Sequence, residues 1–174
     1  MSLQRQIFLP LHSIMHRNLK LLIVTALAAA AADLSVKFIV LNALRDRSVD
    51  VIPGFFSLSL SFNYGAAFGI LNGRLWPVFF MFALLLIAGI SYRNKITRSG
   101  ALSAAFGLVL GGAAANLADR LMIPPRGSVT DFIDFHIAHS DAVLAYPTFN
   151  IADMCIVAGC IAIIYLYRFI REDS

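Results

Sequence analysis

Four long apolar runs divide the chain, and their lengths set the first expectation about its fold. The runs cover about residues 20–44, 75–92, 101–122 and 149–169. A helix needs roughly 20 apolar residues to cross the hydrocarbon core of a bilayer. The pattern therefore predicts four membrane-spanning helices, joined by long connections at 45–73 and 123–148 and preceded by an amphipathic or disordered lead at 1–18.

Residues 56–63 follow a different pattern, because apolar and polar side chains alternate strictly along FSLSLSFN. Period-two alternation is typical of a strand with one apolar and one polar face. Extended backbone cannot lie bare in hydrocarbon, so we expect this strand at the membrane interface. Asn63 falls on the serine face, where it suits either a turn or a hydrogen bond to an extended peptide.

Composition agrees with a membrane protein, since 59% of the 174 residues are hydrophobic and only 14% are charged. Soluble domains have about 45–50% apolar and about 25% charged residues. The length suits one domain, and the fold class expected is an all-α integral membrane protein, a four-transmembrane-helix bundle with a small amphipathic β segment in its first external loop. The net charge of +4 comes from residues at span ends, which does not indicate nucleic-acid binding.

The basic residues also predict an orientation. Four spans place both termini on one side of the membrane, and that side carries Arg5, Arg17, Lys20, Arg93, Lys95, Arg98, Arg168 and Arg171. The other side carries Arg45, Arg47, Arg74 and Arg126. Lysine and arginine accumulate in cytoplasmic loops, so we expect cytoplasmic termini and two external loops.

The first span contains a charged pair, Asp33 and Lys37. A charged side chain at membrane depth costs about 2.5–3.5 kcal/mol on insertion scales, so such groups need a reason. The acid precedes the base by four residues, which is the better order for an ion pair on a helix. The pair either merely neutralises its own charge or faces the bundle interior and holds the active-site end together.

Further polar residues collect at the same predicted membrane level. Asn116, Asp119 and Arg120 share one face near the end of the third span. Asn150 and Asp153 lie in the first turns of the fourth span. With both loops external, these groups converge on the external face together with Asp131 and with the charged pair of the first span.

Two carboxylates at one level suit hydrolysis of a peptide bond. One ionised carboxylate activates water, and one protonated carboxyl donates a proton to the leaving nitrogen. Repulsion between close like charges separates the pKa values of the two groups, so that the pair can hold a single proton. We favour Asp131 and Asp153 as this pair, because neighbouring Arg120 and Asn116 tie Asp119 into a structural network.

Other chemistries fit the sequence less well. A metal hydrolase could use Asp131, Asp134, His136 and His139, but no HExxH pattern is present, which favours solvated loop histidines. A carrier needs a relay across the bilayer, whereas the acids cluster at one level.

Two further pairs, one of histidines and one of cysteines, have side chains that can bind a metal. His12 and His16 have a spacing that suits a metal on a helix, yet no carboxylate or cysteine accompanies them, which favours a solvated juxtamembrane face. Cys155 and Cys160 lie about 140° apart around a helix, which does not favour a disulfide or a metal site.

Five blocks of the sequence resemble the lipoprotein signal peptidases, also called signal peptidase II. The blocks are Asp33 with Lys37, then NYGAAFG at 63–69, GGAAANLADR at 111–120, VTDFIDF at 129–135 and FNIAD at 149–153. They occur in the order of the family and lie on four predicted spans, over most of residues 20–170. Each block alone is weak, but their combination is specific.

The resemblance implies an aspartyl endopeptidase of the bacterial inner membrane that needs no metal or cofactor. It would remove the signal peptide from diacylglyceryl-modified prolipoproteins, cutting before the lipid-modified cysteine, within membrane phospholipid and near the periplasmic face. Globomycin-type inhibitors would occupy the same region. The alternative is a membrane carrier, or a protein that binds lipoprotein precursors without cutting them.

The resemblance also implies roles for individual residues. The catalytic pair would be Asp131 and Asp153. The residues that position the substrate or the pair would be Asn63, Asn116, Arg120 and Asn150, and those that support the site would be Asp33, Lys37 and Asp119. The sequence departs from the family in three places: Ala115 stands where glycine is usual, the stretch from Asp119 to Asp131 is longer, and the loop from Asp131 to Asp153 is also somewhat long.

Overall fold

The structure, a computed structural model, describes residues 3–64, 75–123, 127–139 and 142–172. Within these ranges the protein is mostly helical and carries one small antiparallel sheet. The elements in chain order are α1 (Leu3–Ala43), β1 (Val49–Ile52), β2 (Phe56–Asn63), α2 (Trp76–Ser91), α3 (Arg93–Ile96), α4 (Gly100–Met122), β3 (Val129–His139), β4 (Ala142–Ala145) and α5 (Ile151–Glu172). Residues 65–69 of the second sequence block, Pro124, Pro125 and Asp141 lie outside the described residues.

Three of the described helices are long and apolar enough to cross a membrane. They are His12–Ala43 of α1, Gly100–Met122 and Ile151–Arg168. Helix α2 is apolar but has only 16 residues, fewer than the roughly 20 that span a bilayer. The protein is therefore an integral membrane protein, while the fourth span and the orientation of the termini stay predictions.

The first helix is longer than the sequence pattern indicated. α1 has 41 residues, Leu3–Ala43, so residues 3–18 of the segment expected as a separate lead belong to the first helix. Asn18 fixes part of this extension to the bundle, because its side-chain Nδ2 donates to the backbone oxygen of Thr97 at 2.9 Å. The side chain of Asn18 is buried, and this hydrogen bond explains how a polar residue is accommodated there.

The predicted strand at 56–63 is confirmed as β2, but the sheet is larger than expected. It has four antiparallel strands in the order β1-β2-β3-β4. Strands β3 and β4 lie in the connection 123–148 that was predicted as a loop, so the all-α class was too narrow. Asp131 and Asp134 interrupt the apolar pattern of β3, and aspartate is depleted in strands, which hid this element in the sequence.

The sheet packs against the end of α1 that carries Lys37. Phe132 of β3 forms a small buried core with Val40 and Leu44. The register of β2 and β3 pairs Leu58 with Ile133 and Ser61 with Asp131, so β2 carries one extra residue between the two pairs. Such a bulge bends the strand locally and re-aims its side chains next to Asp131.

Glycines bring the long helices close together. A Cβ added to Gly111 would overlap the backbone of Ala26 on α1, and one added to Gly112 would lie 2.5 Å from the backbone oxygen of Ala152 on α5. Small residues commonly allow such close approach between membrane helices. The second contact also places the first turn of α5 beside α4, one helical turn before Asn116.

Gly111→Ala should lower the thermal unfolding midpoint of the detergent-solubilised protein. We expect a loss of about 1–3 kcal/mol from overpacking, even though alanine favours helix formation. Gly100→Ala is the matched control, because its added Cβ would meet nothing closer than Asn18 Oδ1 at 3.4 Å. Equal midpoints for the two variants would contradict this account of helix packing.

Candidate active site

Asn150 links the two carboxylates that the sequence proposes as a pair. Its side-chain Nδ2 donates to Asp131 Oδ1 at 2.6 Å, and its backbone N–H donates to Asp153 Oδ2 at 3.2 Å. In return, the backbone N–H of Asp153 donates to Asn150 Oδ1 at 3.0 Å. This reciprocal arrangement is a capping box at the start of α5, so the helix start itself holds Asp153 in place.

A single backbone bridge aligns α5 with β3. The N–H of Ile133 donates to the oxygen of Phe149 at 2.9 Å, and the N–H of Phe149 donates to the oxygen of Ile133 at 3.1 Å. Because Phe149 directly precedes Asn150, this bridge fixes the first turn of α5 relative to the strand that carries Asp131.

Two more asparagines complete the hydrogen bonding of the pair. Asn63 Nδ2 on β2 donates to Asp131 Oδ2 at 3.1 Å, and Asn116 Nδ2 on α4 donates to Asp153 Oδ1 at 2.8 Å. Together with Asn150, these residues give every oxygen of the two carboxylates one amide N–H donor. The chain thus brings residues from β2, α4, β3 and the start of α5 into one site.

The environment of Asp131 favours its protonated form. Asp131 is almost completely buried. Burial raises the pKa of its carboxyl from 3.8 to about 6, and the nearby charge of Asp153 acts in the same direction. The hydrogen bonds from Asn63 and Asn150 oppose this shift but are smaller influences. Asp131 therefore holds a proton at a pH where an ordinary aspartate has lost it.

Beneath the pair lies the fully buried ammonium group of Lys37. Its Nζ lies 2.7 Å from Asp33 Oδ2, 2.9 Å from Asp119 Oδ2 and 2.9 Å from Asn116 Oδ1. An ammonium has three donors and no acceptor, so these three contacts satisfy it. They also fix the amide of Asn116, because its oxygen must face Lys37 and its Nδ2 must then face Asp153.

The two partners of Lys37 hold the elements that carry the pair. Asp33 Oδ1 accepts the N–H of Ala152, in the first turn of α5, at 2.8 Å. Asp119 accepts the N–H of Thr130 at 2.7 Å and its hydroxyl at 3.2 Å. One cation on α1 is therefore connected through one carboxylate to α5 and through another to β3.

Arg120 adds a second buried cation. It lies within electrostatic reach of Asp131, Asp153 and Asp119, and its Nη1 donates to the backbone oxygen of Asn116 at 3.4 Å. The charged groups described in the site are the acids Asp33, Asp119, Asp131 and Asp153 and the bases Lys37 and Arg120. The acids outnumber the bases, which makes retention of a proton by the pair electrostatically favourable.

Asp134 lies outside this arrangement, although the sequence places it near Asp131. Its Oδ2 accepts the hydroxyls of Ser57 at 3.4 Å and Ser59 at 3.3 Å, and its Oδ1 lies 3.6 Å from His136 Nδ1. Among the described residues, no group of three or more His, Cys, Asp or Glu side chains could hold a metal ion.

Sequence reasoning did not single out Thr130, Phe149 and Ala152. All three contribute backbone groups to the site, and Thr130 adds its hydroxyl. Their only signal in the sequence is that they adjoin the polar residues of the blocks at 129–135 and 149–153. Side-chain chemistry favours Asp131 and Asp153 as candidates, but it carries no information about which backbone N–H groups Asp33 and Asp119 accept.

Comparisons with known proteins cover the whole site. The chain matches the family described as Signal peptidase (SPase) II over residues 25–169. A lipoprotein signal peptidase of Symbiobacterium thermophilum is 37% identical over 153 residues, which are 86% of this chain and 95% of that protein. One of Desulfitobacterium hafniense (strain DSM 10664 / DCB-2) is 45% identical over 121 residues, 68% of this chain and 72% of that protein. A solved bacterial membrane enzyme is 32% identical with a TM-score of 0.69, covering 88% of this chain and 89% of that one.

Lys37→Met should destabilise the protein strongly. Removing one partner of a buried charge network leaves the carboxylates of Asp33 and Asp119 uncompensated, which costs about 3–5 kcal/mol. Thermal unfolding in detergent would measure the loss. The same substitution at the exposed Lys20 is the matched control and should change the midpoint little. Similar midpoints for both variants would refute the supporting role of Lys37.

Proposed function

The chain belongs to the signal peptidase II family, and from that premise we propose that it is an aspartyl endopeptidase with Asp131 and Asp153 as its catalytic pair. Its activity is the removal of signal peptides from prolipoproteins, and it is a membrane-embedded protease. The observation that carries the aspartyl assignment is the hydrogen bonding of the pair. Asn150 joins both carboxylates, and every carboxylate oxygen accepts an amide N–H.

The environments of the two carboxylates assign them different roles. Asp131 is the buried member whose pKa is raised to about 6, so it is the general acid that starts the reaction protonated. Asp153 lies in the first turn of α5, where the helix dipole favours a negative charge, so it is the general base. Environments that separate two carboxylates in this way are the usual basis of acid–base catalysis by aspartate pairs.

The proposed reaction is a sequence of proton transfers. Asp153 takes a proton from a water molecule as the water oxygen attacks the carbonyl carbon of the scissile bond. The oxygen of the tetrahedral intermediate becomes negative, and the buried guanidinium of Arg120 offsets charge in this region. Asp131 donates its proton to the leaving nitrogen as the C–N bond breaks. Transfer of the proton on Asp153 to Asp131 restores the starting state.

The substrate and the setting extend the same proposal. The substrates are prolipoproteins that carry a diacylglyceryl group, and the cut is made before the lipid-modified cysteine. The site faces the periplasmic side of the bacterial inner membrane, with four spans and cytoplasmic termini within phospholipid. The distribution of lysine and arginine at span ends supports this orientation. Globomycin-type inhibitors would bind over Asp131 and Asp153.

A carrier, or a binder of precursors that does not cut, is the competing function. Such a protein has no need for two carboxylates of different protonation at one point. The complete set of donors around Asp131 and Asp153, and the buried position of Asp131, favour cleavage.

Asp131→Asn and Asp153→Asn should each abolish cleavage. Each change removes one proton-transfer group while keeping its shape, so we expect a loss of at least about 10²-fold. The assay incubates purified protein in detergent with a diacylglyceryl-modified prolipoprotein and follows release of the signal peptide, with and without a chelator.

Asp134→Asn is the matched control on the same strand and should retain cleavage. Thermal unfolding of all three variants would separate loss of chemistry from loss of fold. Near-normal cleavage by either Asp131→Asn or Asp153→Asn would overturn the catalytic pair, and inhibition of the unmodified protein by the chelator would indicate a metal enzyme instead.

The pH dependence of kcat/KM should reveal which carboxyl is the acid. Asp131 acts in its protonated form, and its pKa in the free protein is raised to about 6. Cleavage should therefore fall as pH rises through about 6, approaching tenfold per pH unit above it. Initial rates at low substrate concentration over pH 4.5–8.5, with a parallel check of folding, would test this. If kcat/KM instead rose as the pH increased through this value, the roles assigned to Asp131 and Asp153 would have to be exchanged.

A further inference from the structure

Two histidines on the N-terminal part of α1 form a pair that the proposed peptidase mechanism does not use. Nε2 of His12 and Nε2 of His16 lie 3.3 Å apart, and both side chains are exposed. The ring centroids are 4.3 Å apart, with the ring planes inclined by 70°. The sequence favoured two histidines that are each hydrated on a solvated helix face. Hydration of each ring by itself does not account for the contact between the two Nε2 atoms.

The distance between these nitrogens matches the edge of a tetrahedral metal site. Metal–nitrogen bonds of about 2.0–2.1 Å in tetrahedral geometry place two ligand nitrogens about 3.3–3.4 Å apart. Histidines at i and i+4 on one helix face are an established arrangement for holding zinc. We propose that His12 and His16 hold a four-coordinate transition-metal ion with a filled d shell, Zn²⁺ or Cu⁺.

A cavity beside the pair provides space for the remaining ligands. It has a volume of about 250 Å³ and is lined by His12, Met15, His16, Leu19, Arg93, Asn94 and Thr97. Met15 lies three residues after His12 and so shares its helix face. A thioether is a soft ligand that favours Cu⁺. Water fills the positions that the two imidazoles and the thioether leave open.

Charge around the cavity distinguishes the two ions. Arg93 lines the cavity and carries a guanidinium cation, so it opposes a bound cation. The repulsion is weaker for a monovalent than for a divalent ion. Arg93 and Met15 therefore both act in favour of Cu⁺ over Zn²⁺.

Binding requires a lone pair on both Nε2 atoms. Without metal, one Nε2 carries the proton of the contact with the other. When the ion binds, that imidazole takes its other neutral form, with the proton on Nδ1, and no net proton is released from two neutral rings.

This site is separate from the carboxylates. His16 precedes Asp33 by 17 residues on the same helix, a distance of about 26 Å along the axis. Because α3 begins at Arg93, a bound ion would lie between the N-terminal extension of α1 and α3.

Metal titration of the full-length protein in detergent tests the proposal. Zn²⁺ is added under calorimetry, and Cu⁺ is added without oxygen in competition with a chromophoric chelator. The unaltered protein should bind one equivalent, and His12→Ala or His16→Ala should each weaken binding about tenfold or more, since one of two nitrogen ligands is lost. The double substitution His12→Ala with Ile14→His keeps two histidines but sets them on different faces, and it should be equally weak.

Two further variants identify the ion. Met15→Leu should weaken binding of Cu⁺ and leave Zn²⁺ unchanged, and Arg93→Gln should strengthen binding of both, of Zn²⁺ more. If Zn²⁺ binding depended on both histidines and Met15→Leu did not change Cu⁺ binding, the site would stand and would be assigned to zinc. The proposal would be overturned if the unaltered protein bound neither ion more tightly than the His12→Ala, Ile14→His protein does. Peptidase assays are not involved, so this result is independent of the catalytic pair.

Discussion

The rest of the site depends on the contacts that the buried ammonium of Lys37 makes with its acceptors. Three acceptor residues from α1 and α4 meet there, and all three reach onward: Asp33 and Asn116 to α5, and Asp119 to β3. Charges removed from water cost free energy that ion pairing only partly returns. The network is therefore better understood as a device for position than as a source of stability. It makes two elements that are distant in sequence present their carboxylates at one place.

Amide groups rather than cations make direct contact with the oxygens of Asp131 and Asp153 in the described hydrogen bonds. A cation bound directly to either carboxylate would favour the ionised form and oppose proton transfer. An amide orients a carboxylate without adding a full charge. Lys37 reaches Asp153 only through the amide of Asn116, which leaves the pair able to hold a proton.

Local periodicity made part of this structure predictable. The i,i+4 spacing of Asp33 and Lys37 indicated their ion pair, and strict alternation indicated β2. Helix spacing and loop order placed the acids at one level. The bridge at Phe149 and the bond from Thr130 to Asp119 were not predictable, because they depend on contacts between segments that are separate along the chain. Strands β3 and β4 were missed for a different reason, since Asp131 and Asp134 interrupt the apolar pattern of β3. The orientation of the Asn116 amide follows only once Lys37 is seen beside it.

In the capping box at the start of α5, the side chain of Asp153 has two roles. Asp153 closes the helix end by accepting the N–H of Asn150, and in the proposed mechanism it also receives the proton of water. Each turnover therefore briefly neutralises a helix cap. Replacement by asparagine keeps a hydrogen-bond acceptor at the cap but loses the base. The stability of the helix start and the proposed proton transfer therefore depend on the same carboxylate.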